Sequence, residues 1–522
     1  MSRITIMNNR TINDYVRPLA LAGNGMFIAE LRALVVCLAL LMYAALAMDL
    51  ITDTQGLAAY TVLLLGYLFV ELRNLWAREK PLFWINPVVL ASLFTFILTF
   101  GVTNALFFMP EDVVALVGIA PVATPWMNQL MLLVLLGACA MWVGYGSGVG
   151  RNLGLMLRQS RVLRAWMPTS FRINNPALYA CIAISLIARL WEIKLGVYGY
   201  SATYDQLIEG AGYGQYFFMA ESLGQLALVG AALQCFAAPR AALSDRQLLW
   251  FILGYEVAFG FLSGFKSQVV MPFIIVGFVY YSRRNRFPRW LLPAVVAGLF
   301  AAYAVIEPFR VARNEDAGFV GTNLGGIVGT MTNAGGIDTA AGGEDASTGL
   351  LFLARTNLTY VGSLGIEYAA ENELPEGSPE FLKDIVLAPA YALIPRFLWD
   401  SKPFQNTGAW YYNEVMGLNG NTAAAMGPFT YLNFAGGPVA VVLGFLLVGV
   451  LQRGMFDGLR HFGGGGLLVL FGLLNTLANI DSSFDTFIVV SIRYFPLLVV
   501  AQYLLLQHSP RLSADDQVYE QA

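Results

Sequence analysis

The chain has 522 residues, of which 57% are hydrophobic and only 12% charged, with a mean hydropathy of +0.61 and a formal net charge of −3. About a quarter of a soluble protein's residues are charged, so this composition excludes a soluble globular fold, and the charge balance points to no nucleic-acid partner. Recurring apolar runs of bilayer length indicate an all-α polytopic integral membrane protein, folded as a single transmembrane domain over 1–522.

Residues 1–32 are polar for too long to be a cleaved signal peptide, so the first span is expected to act as its own insertion signal. Twelve candidate spans come next, at 33–50, 56–72, 86–108, 128–148, 175–192, 217–237, 248–262, 267–281, 290–306, 436–451, 467–480 and 486–506. Twenty-one of the 31 lysines and arginines fall in segments on the same side as the N-terminus, so the tails 1–32 and 507–522 are expected in the cytoplasm. The short connections on the other side hold only Lys194 and Lys266.

Two further cations lie within spans. Arg189 is followed at i+3 by Glu192, the spacing of an intrahelical ion pair. Arg493, near the outer end of the last span, either snorkels to water or lines a cavity. SGFKSQ (263–268) leaves almost no loop between its two spans and puts Lys266 at the membrane boundary. There it serves either as an interfacial anchor or as a phosphate contact aided by the N–H groups of a tight glycine turn. GFLSG (260–264) suits close helix packing. GYGSGVG (144–150) matches a nucleotide fingerprint only as a string, because it ends a span and has no strand ahead of it.

The one long polar segment, 307–435, lies between the ninth and tenth spans as an external loop, too long for a passive connection. It opens with EPFRVARNED, where Arg310 and Arg313 share a face of a helix continuing out of the ninth span. Ten glycines between 318 and 349 predict a mobile linker or a lid. Residues 350–370 and 379–395 are apolar enough for short helices on or in the membrane, and Pro395, Pro403 and Pro428 break the helical pattern beyond them. Trp399, Trp410, Tyr411 and Tyr412 suit the interface. The loop's cations are Arg310, Arg313, Arg355, Lys383, Arg396 and Lys402; its acids, among them Glu315, Glu367 and Asp400, are their alternative partners.

All four cysteines lie in apolar runs, and both histidines, His461 and His508, lie in cytoplasmic segments. The outer face therefore has no disulfide framework, no thiolate or imidazole metal ligand and no Ser-His-Asp triad, and neither metal nor cofactor is expected. What remains is a set of cations beside an apolar wall. Arginine's planar fork matches phosphate oxygens, so the fitting ligand has a phosphate or diphosphate head and an isoprenoid tail.

SGFK (263–266), FRVARNE (309–315), PRFLWDSKP (395–403) and GPFTYLNFAGGPVAVVLGFLLVGVLQR (427–453) together resemble the O-antigen polymerase (Wzy-type) family, the repeat-unit polymerases of bacterial surface polysaccharides. The resemblance runs over roughly 248–453. It implies a GT-C-like glycosyltransferase of the bacterial inner membrane, working on the periplasmic face without a nucleotide sugar. The nascent glycan would pass from undecaprenyl diphosphate to a new lipid-linked repeat unit. Both substrates would then be undecaprenyl diphosphate-linked oligosaccharides, with membrane lipids and a chain-length regulator protein as further partners. By matching positions, Lys266, Arg310, Arg313, Arg396 and Lys402 would be the functional cations, joined by Arg355 and Tyr411 as substrate contacts. Arg310, Arg313 and Arg396 would hold developing charge, and Glu367 and Asp400 are candidate acid–base groups beside Glu315. Related ligases carry an essential histidine in the long loop; its absence here favours a polymerase. Two other readings stay open: a GT-C enzyme using a polyprenyl monophosphate sugar, with Asp49 or Asp53 as base, and a flippase, although no internal repeat supports the latter.

Overall fold

A computed structural model describes residues 22–117, 123–167, 172–202, 206, 210–237, 242–315, 324–333, 348–399, 402, 407–418, 423–480 and 483–507. Among these the chain is helical throughout, with no strand and a single β-bridge between Ile173 and Leu506. In chain order the principal helices are α1 (Ala22–Ala47), α2 (Asp53–Glu79), α3 (Pro87–Phe108), α4 (Pro125–Gly146), α5 (Asn175–Leu195) and α6 (Ala211–Ala237). Next come α7 (Leu243–Leu262), α8 (Lys266–Arg284), α9 (Leu291–Glu315), α10 (Leu324–Asn333), α11 (Thr348–Thr356) and α12 (Leu358–Glu371). The last four are α13 (Phe381–Leu393), α14 (Gly427–Leu459), α15 (Gly463–Ala478) and α16 (Phe484–Leu505).

Nine of the described helices are long and apolar enough to cross a membrane, so the chain is a polytopic membrane protein. Three other expected spans coincide with α7, α8 and α15, which are shorter or more polar. α7 carries Asp245, Arg246 and Glu256, α8 is bracketed by Lys266 and Arg283–Arg284, and α15 has 16 residues.

α4 and α14 cross at the centre. A Cβ on Gly449 would lie 1.9 Å from the Met141 carbonyl oxygen, and one on Gly144 would lie 2.1 Å from that of Leu446. Only glycine lets these two backbones meet, which is the use the fold makes of the first glycine of GYGSGVG.

α14 is not one straight rod. Gly436 and Gly437 leave helical geometry just ahead of Pro438. Phe429 and Phe445, 16 residues apart, would be about 24 Å apart along a continuous helix. Their rings instead stack at 4.4 Å, so the segment folds back on itself at the two glycines. The short arm before the break lies buried against the longer one, with Phe96 and Phe100 edge-on to Phe429 at 5.6 and 5.2 Å. Both ends of the expected loop, 307–435, are helical. α9 continues as helix to Glu315, and the arm from Gly427 belongs to the packed body. The expected span start at 436 falls on the break.

The short helices expected at 350–370 and 379–395 are present as α11, α12 and α13. The glycine-rich stretch is not uniformly irregular, because Leu324–Asn333 is helical; 316–323 and 334–347 lie outside the described residues. The loop is anchored by polar side chains in the membrane body. Asn357 caps α12 and also donates to Thr103 and Asn104 at 3.2 and 3.3 Å, while Thr359 donates to Asn104 at 2.6 Å. Asn104→Ala strips partners from buried donors and should cost about 1–3 kcal/mol. Thermal unfolding of the protein in nanodiscs, with proteolysis of the loop as a second readout, checks this. Unchanged stability and unchanged cutting would show that the loop is held elsewhere.

The intrahelical pair expected between Arg189 and Glu192 is not formed. Arg189 turns toward α6 and α7, where Tyr255 and Phe259 lie 5.0 and 5.1 Å from its guanidinium. It pairs there with Glu256 at 2.9 Å and more distantly with Glu221 at 3.8 Å. Interhelical partners win because the guanidinium gains ring faces and a buried carboxylate together.

Candidate anion site

The turn between α7 and α8 organises the first cation cluster. Ser263 Oγ donates to the Gly260 carbonyl at 2.7 Å and accepts from Phe265 N at 3.1 Å, fixing a bend whose next residue, Gly264, has φ +70°. The bend leaves the Gly264 carbonyl facing α9, where it accepts from Arg310 Nε at 3.0 Å and Nη2 at 2.8 Å. The Arg310 guanidinium lies 4.4 Å from the Tyr200 ring centroid. Tyr200 is fixed in turn by its backbone N–H, which donates to the Ser263 carbonyl at 2.8 Å. Gly199 makes that approach possible: its φ is +57°, and a Cβ there would lie 2.2 Å from Ser263 O. Gly199→Ala should therefore destabilise the protein by about 1–3 kcal/mol through overpacking, with backbone strain in addition. A lowered unfolding midpoint together with weakened anion binding is the expected result. A variant as stable as the parent would show that the approach of Tyr200 to Ser263 does not depend on this glycine.

Lys266 is the first residue of α8, and within its first turn the Gln268 N–H donates to the Phe265 carbonyl at 3.1 Å. The positive end of a 19-residue helix and a lysine thus coincide. Lys266 Nζ lies 3.6 Å from the centroid of the Tyr303 ring, on α9. Phe352 of α11 is edge-on to Tyr303 at 6.4 Å, and the same helix brings Arg355 toward Lys266. Burial, with Arg355 and Arg310 nearby, pushes the Lys266 ammonium down to about 7. Like charges drawn together in this way favour an anion between them.

A second cluster surrounds the C-terminus of α13. Lys402 Nζ donates to the carbonyls of Tyr391 at 2.6 Å and Ile394 at 3.0 Å, and Arg493 Nη2 donates to the same Tyr391 oxygen at 3.1 Å. These are the end carbonyls of a helix, where cations are favoured. Arg396, half-buried on the next turn, completes the set. Burial, with Arg493 and Arg396 beside it, lowers Lys402 to about 8. Nearby, Asp384 is buried and accepts from the Tyr391 hydroxyl at 3.2 Å, and burial raises its carboxyl above the usual range.

Lys266, Arg310 and Arg355 thus come together, as do Arg396 and Lys402. Arg313 lies one turn beyond Arg310 in α9, but its side chain and all of Asp400 lie outside the described residues. Glu367 is half-buried on α12 and enters neither cluster. Tyr411 is fully buried, and its hydroxyl donates to the Val361 carbonyl, so it packs against α12 and presents no surface to a ligand. Sequence pattern alone does not single out Tyr200, Tyr303 or Asp384. The two tyrosines sit in apolar or aromatic company that carries no charge pattern, and Asp384 is one acid among many in the loop. No protein-family model, curated protein or solved structure matches the chain.

Proposed function

We propose that the chain is a polymerase of lipid-linked oligosaccharides with a GT-C-like architecture. In this reading it has twelve spans, lies in the bacterial inner membrane with both termini in the cytoplasm, and turns 316–426 to the periplasm. The supporting observation is the convergence of Lys266, Arg310 and Arg355 at the N-terminus of α8, at the edge of an apolar body. Backbone N–H groups, a lysine and two guanidinia make a receptor for a diphosphate, while lipid-facing helices accommodate a polyprenyl tail.

The reaction joins two such amphiphiles, and there are two cation clusters. We assign the donor's diphosphate to Lys266, Arg310 and Arg355, and the acceptor's head group to Arg396 and Lys402. The bond from the donor's anomeric carbon to the diphosphate oxygen breaks, and the acceptor hydroxyl oxygen takes its place. Negative charge grows on the departing diphosphate, where the first cluster holds it. The hydroxyl proton needs a base, and Asp384, raised by burial and placed beside the second cluster, is a better match than the half-exposed Glu367. Incubating the reconstituted protein with one undecaprenyl diphosphate-linked repeat unit tests this reading. A ladder of lipid-linked products supports it, and a single unchanged species contradicts it.

A further inference from the structure

A third group of ionisable side chains lies between α5, α6 and α7. Arg189 and Glu256 are 5% and 4% exposed, and Glu192 is 8% exposed. Arg189 Nη2 donates to Glu256 Oε2 at 2.9 Å. Its Nε lies 3.8 Å from Glu221 Oε1, too far for a hydrogen bond. Arg189 Nε and Nη1 and Glu256 Oε1 have no hydrogen-bond partner among the described residues, although all three atoms are fully enclosed. The Glu256 carboxylate is seated over Gly224, where a Cβ would lie 2.3 Å from Oε1.

Glu192 and Glu221 face each other across α5 and α6, close enough for their carboxyl groups to interact, while Glu221, its side chain 21% exposed, also stays 3.8 Å from Arg189. Two carboxylates only accept, so facing carboxyl groups can bond to each other only with a proton on one of them. The charge count agrees. Three carboxylates surround one guanidinium; the other titratable groups facing them are the phenols of Tyr198, Tyr255 and Tyr494, and Arg493, beside Tyr494, is directed to the Tyr391 carbonyl. None of the phenols supplies a positive charge. An apolar helix bundle does not hold that excess of negative charge unneutralised. Nor do the acids converge as metal ligands do: no group of three or more metal-ligating side chains exists among the described residues.

We infer that Glu192 and Glu221 form an intramembrane proton-binding site, with Arg189 and Glu256 as the fixed ion pair that sets its field. The site stands apart from any assignment of substrate. It is joined to the anion site by a short stretch of backbone: Tyr198, just past the end of α5, donates from its hydroxyl to the Phe259 carbonyl at 2.9 Å, and two residues on is Tyr200, beneath Arg310.

Infrared spectra of the full-length protein in lipid nanodiscs test the inference. At pH 7 the wild-type spectrum should contain the carbonyl stretch of a protonated carboxylic acid, shifted in heavy water and persisting well above the ordinary carboxylate range of about 4. Glu192→Gln and Glu221→Gln should each remove that component, because one proton is shared and either amide replaces it. Asp485→Asn serves as the control, since another enclosed carboxyl that contributes intensity of its own leaves the shared component in place. If one glutamine variant fails to fold, the other still decides the question. A spectrum that neither variant alters would overturn the assignment, as would a band abolished by adding sodium at constant pH, which would make this a metal-cation site.

Discussion

Arg310→Ala should lower the rate of chain elongation by at least about 100-fold while leaving the protein inserted. Removing one donor aimed at developing negative charge typically costs about 2.7–4 kcal/mol in the transition state, a factor of about 10²–10³. Arg310 is fixed for such a task, with two N–H groups on the Gly264 carbonyl and its plane against Tyr200. The alanine variant also strands that carbonyl, so loss of activity alone does not separate chemistry from structure. Arg310→Lys makes the distinction: it keeps the charge and one donor but loses the fork, and should retain part of the activity. Initial rates for the two variants, with membrane yield and unfolding midpoint as controls, give the comparison. Wild-type ladders from Arg310→Ala would remove this residue from the mechanism.

The second large effect is on pH dependence. Lys266, lowered to about 7 by burial and by Arg355 and Arg310, is half-protonated near neutrality in the free protein. Its ammonium is the form that attracts phosphate. Raising the pH through 7 therefore removes binding capacity, and kcat/KM should fall about tenfold per unit above that point. A bound diphosphate favours the charged form, so the corresponding limb in kcat lies at higher pH. Lys266→Arg introduces a group that stays charged throughout and abolishes the limb at 7. Any residual fall should then start near 8, where Lys402 loses its proton. A kcat/KM profile that Lys266→Arg leaves unmoved would show that another group titrates.

Much of this architecture is written in the sequence. Apolar length locates the helices, and the lysine–arginine asymmetry singles out Lys266 and the loop cations as exceptions worth explaining. Two properties are not written there. Side-chain direction is one: Arg189 and Glu192 have helical spacing for a pair, yet the arginine turns to Glu256 because the facing helices offer a better environment. The other is backbone reversal. The run from Gly427 reads as loop and then span, and only the stacking of Phe429 on Phe445 reveals that Gly436 and Gly437 double it back. Tyr411 shows the same limit from the other side, since an interfacial aromatic by composition is enclosed once α12 docks over it.

Lys266 and Arg310 holding a diphosphate-bearing polyprenyl lipid is the centre of the proposed mechanism. Its most direct test is the affinity of the purified, nanodisc-embedded protein for undecaprenyl diphosphate, measured against undecaprenol. The diphosphate should bind at least about 100-fold more tightly to the wild-type protein, and most of that advantage should vanish in Lys266→Gln and Arg310→Ala. Equal affinity for the two lipids, or a preference for diphosphate that both variants preserve, would contradict it.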